Sequence, residues 1–250
     1  MENTLPVSQA QPVEIPASRP WMMLISRSVL FMVFQFLIAL ILIPTGVSSA
    51  WREAARYWPF MALFANIISI YLLVRLYRAE GKRYLDAIKF SRVTWKKDVL
   101  WFVGASIICL PIIASPMNIL GQALFGDRMI PTYMLFQPLP AWALVVSLLF
   151  PVTVAFAELP TYFGYSMPRV GAQIKNGWLA WLIASFFLGA QHMFLPLILD
   201  GRFMLWRLLM YMPFALFAGF FLKLRPSLLP YFMIVHVLAD FSAVAVYLMI

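Results

Sequence analysis

The sequence predicts an all-α, polytopic membrane protein of about seven transmembrane helices, with its N-terminus in the cytoplasm and its C-terminus outside. Three observations carry that prediction: an extreme apolar composition, a series of long apolar segments, and a lopsided distribution of positive charge. The 250 residues are 63% hydrophobic and only 12% charged, and the mean hydropathy is +0.85. Such values exclude a soluble globular domain and a disordered chain alike. Aromatic residues reach 16%, with nine Trp and 22 Phe, which suits lipid-facing and interfacial surface and makes the lipid bilayer the first expected partner.

Residues 1–20, "MENTLPVSQAQPVEIPASRP", are polar and Pro-rich, with neither a basic start nor an apolar core. They read as a disordered cytoplasmic tail rather than a signal peptide. Residues 21–250 read as a single helical transmembrane domain. Its apolar segments run over 22–44, 58–74, 99–125, 139–167, 178–199, 204–222 and 228–250. Most can cross a hydrocarbon core of about 30 Å.

The loop after the second segment carries eight Lys/Arg between Arg75 and Lys97. Placing it in the cytoplasm puts fourteen positive residues inside, Arg19, Arg27, Arg169, Lys175, Lys223 and Arg225 among them. Five fall outside: Arg52, Arg56, Arg128, Arg202 and Arg207. That asymmetry sets the orientation. The net charge of +9 is therefore a topology signal, and nucleic acid is not an expected partner. Within "GKRYLDAIKFSRVTWKKD" (81–98), Tyr84, Leu85, Ile88 and Phe90 interleave with the charges. This spacing suits an interfacial helix, or equally an ordinary basic loop.

In the third segment, Pro111 and Pro116 predict a kink or a break, and the lone Cys109 reads as a small packing residue. In the fourth, Pro151 and Pro160 flank a short stretch containing Glu158. Pro160 removes a backbone donor and clashes with the carbonyl of Phe156, loosening the helix beside the carboxylate.

Of ten Asp and Glu, only Glu158 and Asp240 sit within apolar runs, and both histidines, His192 and His236, do as well. A charge near the bilayer centre costs about 2.5–3.5 kcal/mol on insertion scales, so such residues persist for a reason. All four fall between 139 and 250, the region expected to hold the site, with none on the first three segments. His236 and Asp240 are four apart and share a helix face, where the carboxylate can fix the imidazole tautomer. Ser185 and Gly189 form a small-xxx-small pair that admits a close neighbour, and Gln191 can hydrogen-bond across helices.

Each residue also has a packing role open to it: Glu158 could pair with a tyrosine or with Arg169, and Asp240 could simply satisfy His236. Jointly the four suit hydrolysis, with a carboxylate activating water beside an imidazole. A metal site made from the same four ligands is a weaker reading, because no H-E-x-x-H helix is present, and no cofactor is expected. A proton relay in a transporter is the third reading.

The spacing of these residues resembles the CPBP family of intramembrane proteases (CAAX proteases and bacteriocin-processing enzymes). "ELPTYFG" (158–164) aligns with that family's Glu-Glu-x-x-x-Arg-Gly motif through Glu158 and Gly164. "LGAQH" (188–192) aligns with Phe-x-x-x-His through His192. "HVLAD" (236–240) matches His-x-x-x-Asn/Asp outright. Leu159, Phe163 and Leu188 stand where the family carries Glu, Arg and Phe. The resemblance covers roughly residues 80–250, and "WKKDVLW" together with the compact length is similar to bacterial members. It implies a peptidase of the bacterial cytoplasmic (inner) membrane that acts on a membrane-proximal peptide or protein. Glu158 would be general base, His192 its partner, and His236 with Asp240 the stabilising pair. The alternative is a catalytically inactive relative serving as a membrane scaffold or immunity protein.

Depth sets a condition on this site. At 1.5 Å per residue, His236 lies about 12 Å into its helix from the cytoplasmic end and His192 about 21 Å, whereas Glu158 falls near the cytoplasmic end of its own. Straight helices with these boundaries cannot bring the four together. Kinks or shifted helix starts are required.

Overall fold

A computed structural model describes residues 16–247, apart from the side chains of residues 109, 110, 113 and 114. Residues 1–15 of the expected tail and the packing role of Cys109 thus lie outside the described residues. The described part is helical, with no strand. Helix α1 spans Arg19–Leu42, α2 Ala50–Ala55, α3 Trp58–Ala79, α4 Tyr84–Ala87, α5 Trp95–Phe125 and α6 Ile130–Leu135. Then follow α7 Ala141–Ser147, α8 Leu149–Ala155, a π-helix Pro160–Ser166, α9 Met167–Ile174, α10 Gly177–Gln191, α11 Gly201–Leu224 and α12 Leu229–Tyr247. Helix prevails because an apolar segment in lipid must satisfy its backbone groups internally.

Five spans are long and apolar enough to cross a membrane: Arg19–Thr45, Trp58–Ala79, Ala141–Ile174, Gly201–Leu224 and Pro226–Tyr247. This is the architecture of an integral membrane protein. The other two apolar segments form α5, 31 residues long with Pro111 and Pro116 inside it, and α10, 15 residues long. The two prolines leave α5 one continuous helix, so the expected break does not occur. Polar residues start the helices that face water: Asn176 accepts from the backbone N–H groups of Trp178 and Leu179, and Asp200 from those of Arg202 and Phe203.

Helix α10 packs on α9 and α11, α11 on α5, and both α3 and α12 on α8. The α10–α11 approach is as close as the Ser185/Gly189 spacing predicts. The Ser185 hydroxyl donates to the carbonyl of Ala215 at 3.0 Å. A Cβ on Gly189 would lie 2.9 Å from the Met212 methyl. On the facing helix, a Cβ on Gly219 would lie 2.6 Å from the Phe163 ring and 2.8 Å from Ser185 Oγ.

The bundle has two distinct ends. At the basic-loop end, Arg225 after α11 and Ser227 both bond Asp98 in the first turns of α5. There too, Arg169 of α9 binds Glu80 at the close of α3 through two nitrogens. Burial would raise the Glu80 carboxyl, but the hydrogen bonds and charge of Arg169, helped by Lys82, hold it below the usual carboxylate range. At the other end lie α2, α6 and the turn 195–200 that leads into α11.

The basic loop contains the four-residue α4; Tyr84 and Ile88 are buried against the bundle, whereas Leu85 and Phe90 are exposed. One expectation about the basic residues is corrected. Arg27 and Arg207 are 1% and 2% exposed, so neither is a loop charge. The internal carboxylate and carbonyl groups they serve are described below.

Two outcomes test the packing. Gly219→Ala should destabilise the detergent-solubilised protein by about 1–3 kcal/mol through overpacking against Phe163, read as a lower thermal midpoint. Glu80→Gln should lower that midpoint at neutral pH and flatten its acid dependence. The Glu80 contribution is complete above the unfolded carboxylate value of about 4.3 and is lost as pH falls through the depressed folded value.

Candidate functional site

The backbone around Glu158 is irregular in the way Pro160 predicts. Helix α8 ends at Ala155, a turn covers Phe156–Ala157, and a π-helix follows over Pro160–Ser166. The Phe156 carbonyl, which Pro160 cannot serve, accepts from the Tyr84 hydroxyl instead. This is why a tyrosine of the basic loop is buried.

The chain then continues helical to Ile174, beyond the expected boundary at 167. Glu158 is therefore about 24 Å of helix from that end, not close to it. His192 sits where α10 gives way to a 3₁₀ turn, about 22 Å from Gly177. The longer helix brings the carboxylate to the level of His192, which stays at about the depth expected.

All four predicted residues converge. Glu158 Oε1 lies 3.5 Å from His236 Nε2, and Glu158 Oε2 lies 3.9 Å from His192 Nε2. His236 Nε2 is also 3.2 Å from Asp240 Oδ2. Together they line a small cavity of about 50 Å³, walled by the buried Trp58, Leu135, Phe136, Phe150 and Leu195 among others. That volume accommodates one or two water-sized groups.

Each imidazole is held in a definite way. His192 Nδ1 donates to the Leu188 carbonyl at 3.0 Å, which leaves Nε2 with its lone pair toward the cavity. The ring stacks on Tyr211 with centroids 3.6 Å apart and an interplanar angle of 13°. Arg207 fixes the same turn, donating to the carbonyls of His192 and Leu195 and to Tyr211. His236 directs Nε2 at two carboxylates, and its Nδ1 is buried without a partner among the described residues. Asp240 Oδ2 is likewise buried without a hydrogen-bond partner among the described residues.

Arg27 of α1 belongs to the site as well, and the sequence reasoning assigned it to a loop. Its guanidinium lies 3.7 Å from Glu158 Oε2 and donates to Gln191 Oε1 at 2.8 Å and Asn66 Oδ1 at 2.9 Å. Gln191 in turn donates to Glu158 Oε2 at 2.7 Å and accepts from the Tyr162 hydroxyl. The carboxylate is thus clamped on Oε2 and left to the imidazole on Oε1. Arg169, one candidate partner of Glu158, instead binds Glu80.

A signal for Arg27 was present: it interrupts the first apolar run just as Glu158 interrupts the fourth. Leu159, Phe163 and Leu188 are buried in the apolar packing at the basic-loop side of the site. Among the described residues, no group of three or more His, Cys, Asp or Glu is arranged to hold a metal ion.

Replacing Arg27 with Met should destabilise the protein by about 3–5 kcal/mol by leaving Glu158 buried and unpaired. Adding Glu158→Gln should recover much of that loss, and a double-mutant cycle of thermal midpoints measures the coupling. No family model, curated protein or solved structure matches the chain.

Proposed function

We propose that the protein is an intramembrane, glutamate-dependent peptidase that hydrolyses a membrane-proximal peptide bond. One observation carries this reading: two imidazole Nε2 atoms lie within 3.9 Å of a buried carboxylate at a cavity of about 50 Å³. The likeness of the three motifs to the CPBP family supports it. In the proposed reaction Glu158 Oε1 takes a proton from water as its oxygen attacks the scissile carbonyl. His192 Nε2 accepts a hydrogen bond from that water and orients it. Glu158 then returns the proton to the amine nitrogen as the C–N bond breaks. His236 and Asp240 orient the carboxylate, and Arg27 with Gln191 fixes its other oxygen.

The proposed setting is a bacterial cytoplasmic membrane crossed seven times, with α5 and α10 added to the five spans. The N-terminus lies in the cytoplasm and the C-terminus outside. Setting aside buried Arg27 and Arg207 removes one positive residue from each side and leaves thirteen against four, so the bias supports the same orientation. A second reading, a catalytically silent relative that serves as a scaffold or immunity protein, draws on Leu159 and Phe163. Both are buried apolar residues where the family motif is charged.

Glu158→Gln and His192→Ala should each reduce cleavage of a membrane-peptide substrate by about 10²-fold or more, at normal expression. Asp240→Asn should cost less. Undiminished activity or cellular phenotype in both of the first two variants would favour the scaffold.

A further inference from the structure

The cavity of about 50 Å³ is too small for a peptide segment, and its lining is buried apart from Tyr211, Asp240 and Ala243, so a substrate needs a route to it, and the two ends of the bundle differ. On the basic-loop side it is backed by a continuous apolar cluster in which Leu159, Tyr162 and Leu188 have no exposure. On the opposite side stands a pocket of about 780 Å³, lined by Trp51, Arg52, Tyr133, Met134, Gln137 and Asp200 along with the turn 197–199. Neighbouring residues of the same segments line the two spaces. Along one short segment, Met134 and Gln137 face the outer pocket, while Leu135 and Phe136 between them face the catalytic cavity. The turn after His192 repeats the pattern, with Leu195 on the inner side and Leu197 on the outer.

The backbone of both segments is pinned. Trp58 donates to the Leu135 carbonyl at 3.1 Å. Gln35 bonds Leu197 in both directions, donating to its carbonyl at 3.0 Å and accepting from its N–H at 2.7 Å. Trp51 donates to the same carbonyl at 3.1 Å. The frame is fixed, so any opening between the two spaces falls to the buried side chains of Leu135, Phe136 and Leu195, of which Phe136 packs edge-on against Trp58 and Tyr247.

We infer that the outer pocket is the substrate port, through which an extended peptide segment reaches Glu158 from the end opposite the basic loop, with those three side chains as its door. This rests on the peptidase reading and adds where its substrate arrives. The pocket falls within the usual range for ligand sites, about 300–1,000 Å³. Its rim offers a cation, an anion, an indole and a phenol, which suits a polypeptide of mixed side chains rather than an acyl chain. Charged Arg52 and Asp200 also place this mouth at the aqueous boundary, not in lipid.

The chain has only two histidines, both in the site, so their acylation by diethyl pyrocarbonate, read by mass spectrometry, reports access directly. The full-length protein carrying Cys109→Ala is reconstituted in liposomes. It bears either Tyr133→Cys in the port or Lys89→Cys at the basic loop, each with and without a bulky, membrane-impermeant maleimide. Blocking at Tyr133→Cys should slow acylation of the histidines by about tenfold, and blocking at Lys89→Cys should leave it within about twofold. Equal rates with and without the port block, slowing by the Lys89→Cys block, or no acylation of the unblocked chain would each overturn the port. Acylation needs no turnover, so failure here is separate from failure of the peptidase reading, which the Glu158→Gln substitution addresses.

Discussion

A carboxylate inside an apolar bundle must be neutralised or compensated, and the arrangement around Glu158 follows from that requirement. An unpaired buried ion is destabilising by several kcal/mol, whereas a paired and fully hydrogen-bonded one is tolerated. Arg27 supplies the charge, and Gln191 the second donor. Asn66 and Ser69 of α3 both accept from the guanidinium Nη1. A single ion pair therefore recruits α1, α3 and α10 to the segment carrying Glu158. The polar centre fixes how the helices sit because lipid-like surroundings give apolar faces no preference for one register over another.

The groups of the candidate site stand on backbone that departs from the ideal helix. Glu158 lies between a turn and a π-helix, His192 opens a 3₁₀ turn, and the segment after it is non-helical as far as Asp200. Such irregularity is tolerable at this depth only when the freed backbone groups find partners within the protein. Tyr84 serves the Phe156 carbonyl, Arg207 those of His192 and Leu195, and Gln35 both groups of Leu197. Residues far apart in the chain thus maintain the local shape of the site.

Much of this was legible in the sequence, for identifiable reasons. The apolar runs gave the helices because length and hydropathy suffice to place a span. Glu158, His192, His236 and Asp240 stood out because ionisable groups are rare in such runs. Pro160 announced the distortion beside Glu158 because a missing donor acts locally. What escaped the reading depends on contacts between distant segments. Arg27 looked like a topology charge because a cation near a helix end is normally one. Tyr84 looked interfacial because its partner, the Phe156 carbonyl, is orphaned only once the fourth segment bends. The depth mismatch arose because the helix containing Glu158 runs on through "MPRVGAQI", whose Pro and Arg resemble a loop.

The π-helix of Pro160–Ser166 has a further consequence. Its wider turns hold a surplus residue relative to an α-helix of the same height, and each residue of an α-helix turns its neighbour by about 100°. The surplus works as a fixed angular offset between Glu158 and the well-packed α9 below it. Deleting one residue there would let the segment relax to a regular helix with its packing nearly intact, while the acid swung away from both imidazoles. A change in chain length by a single residue, without loss of any polar side chain, would thus separate a folded bundle from an assembled site.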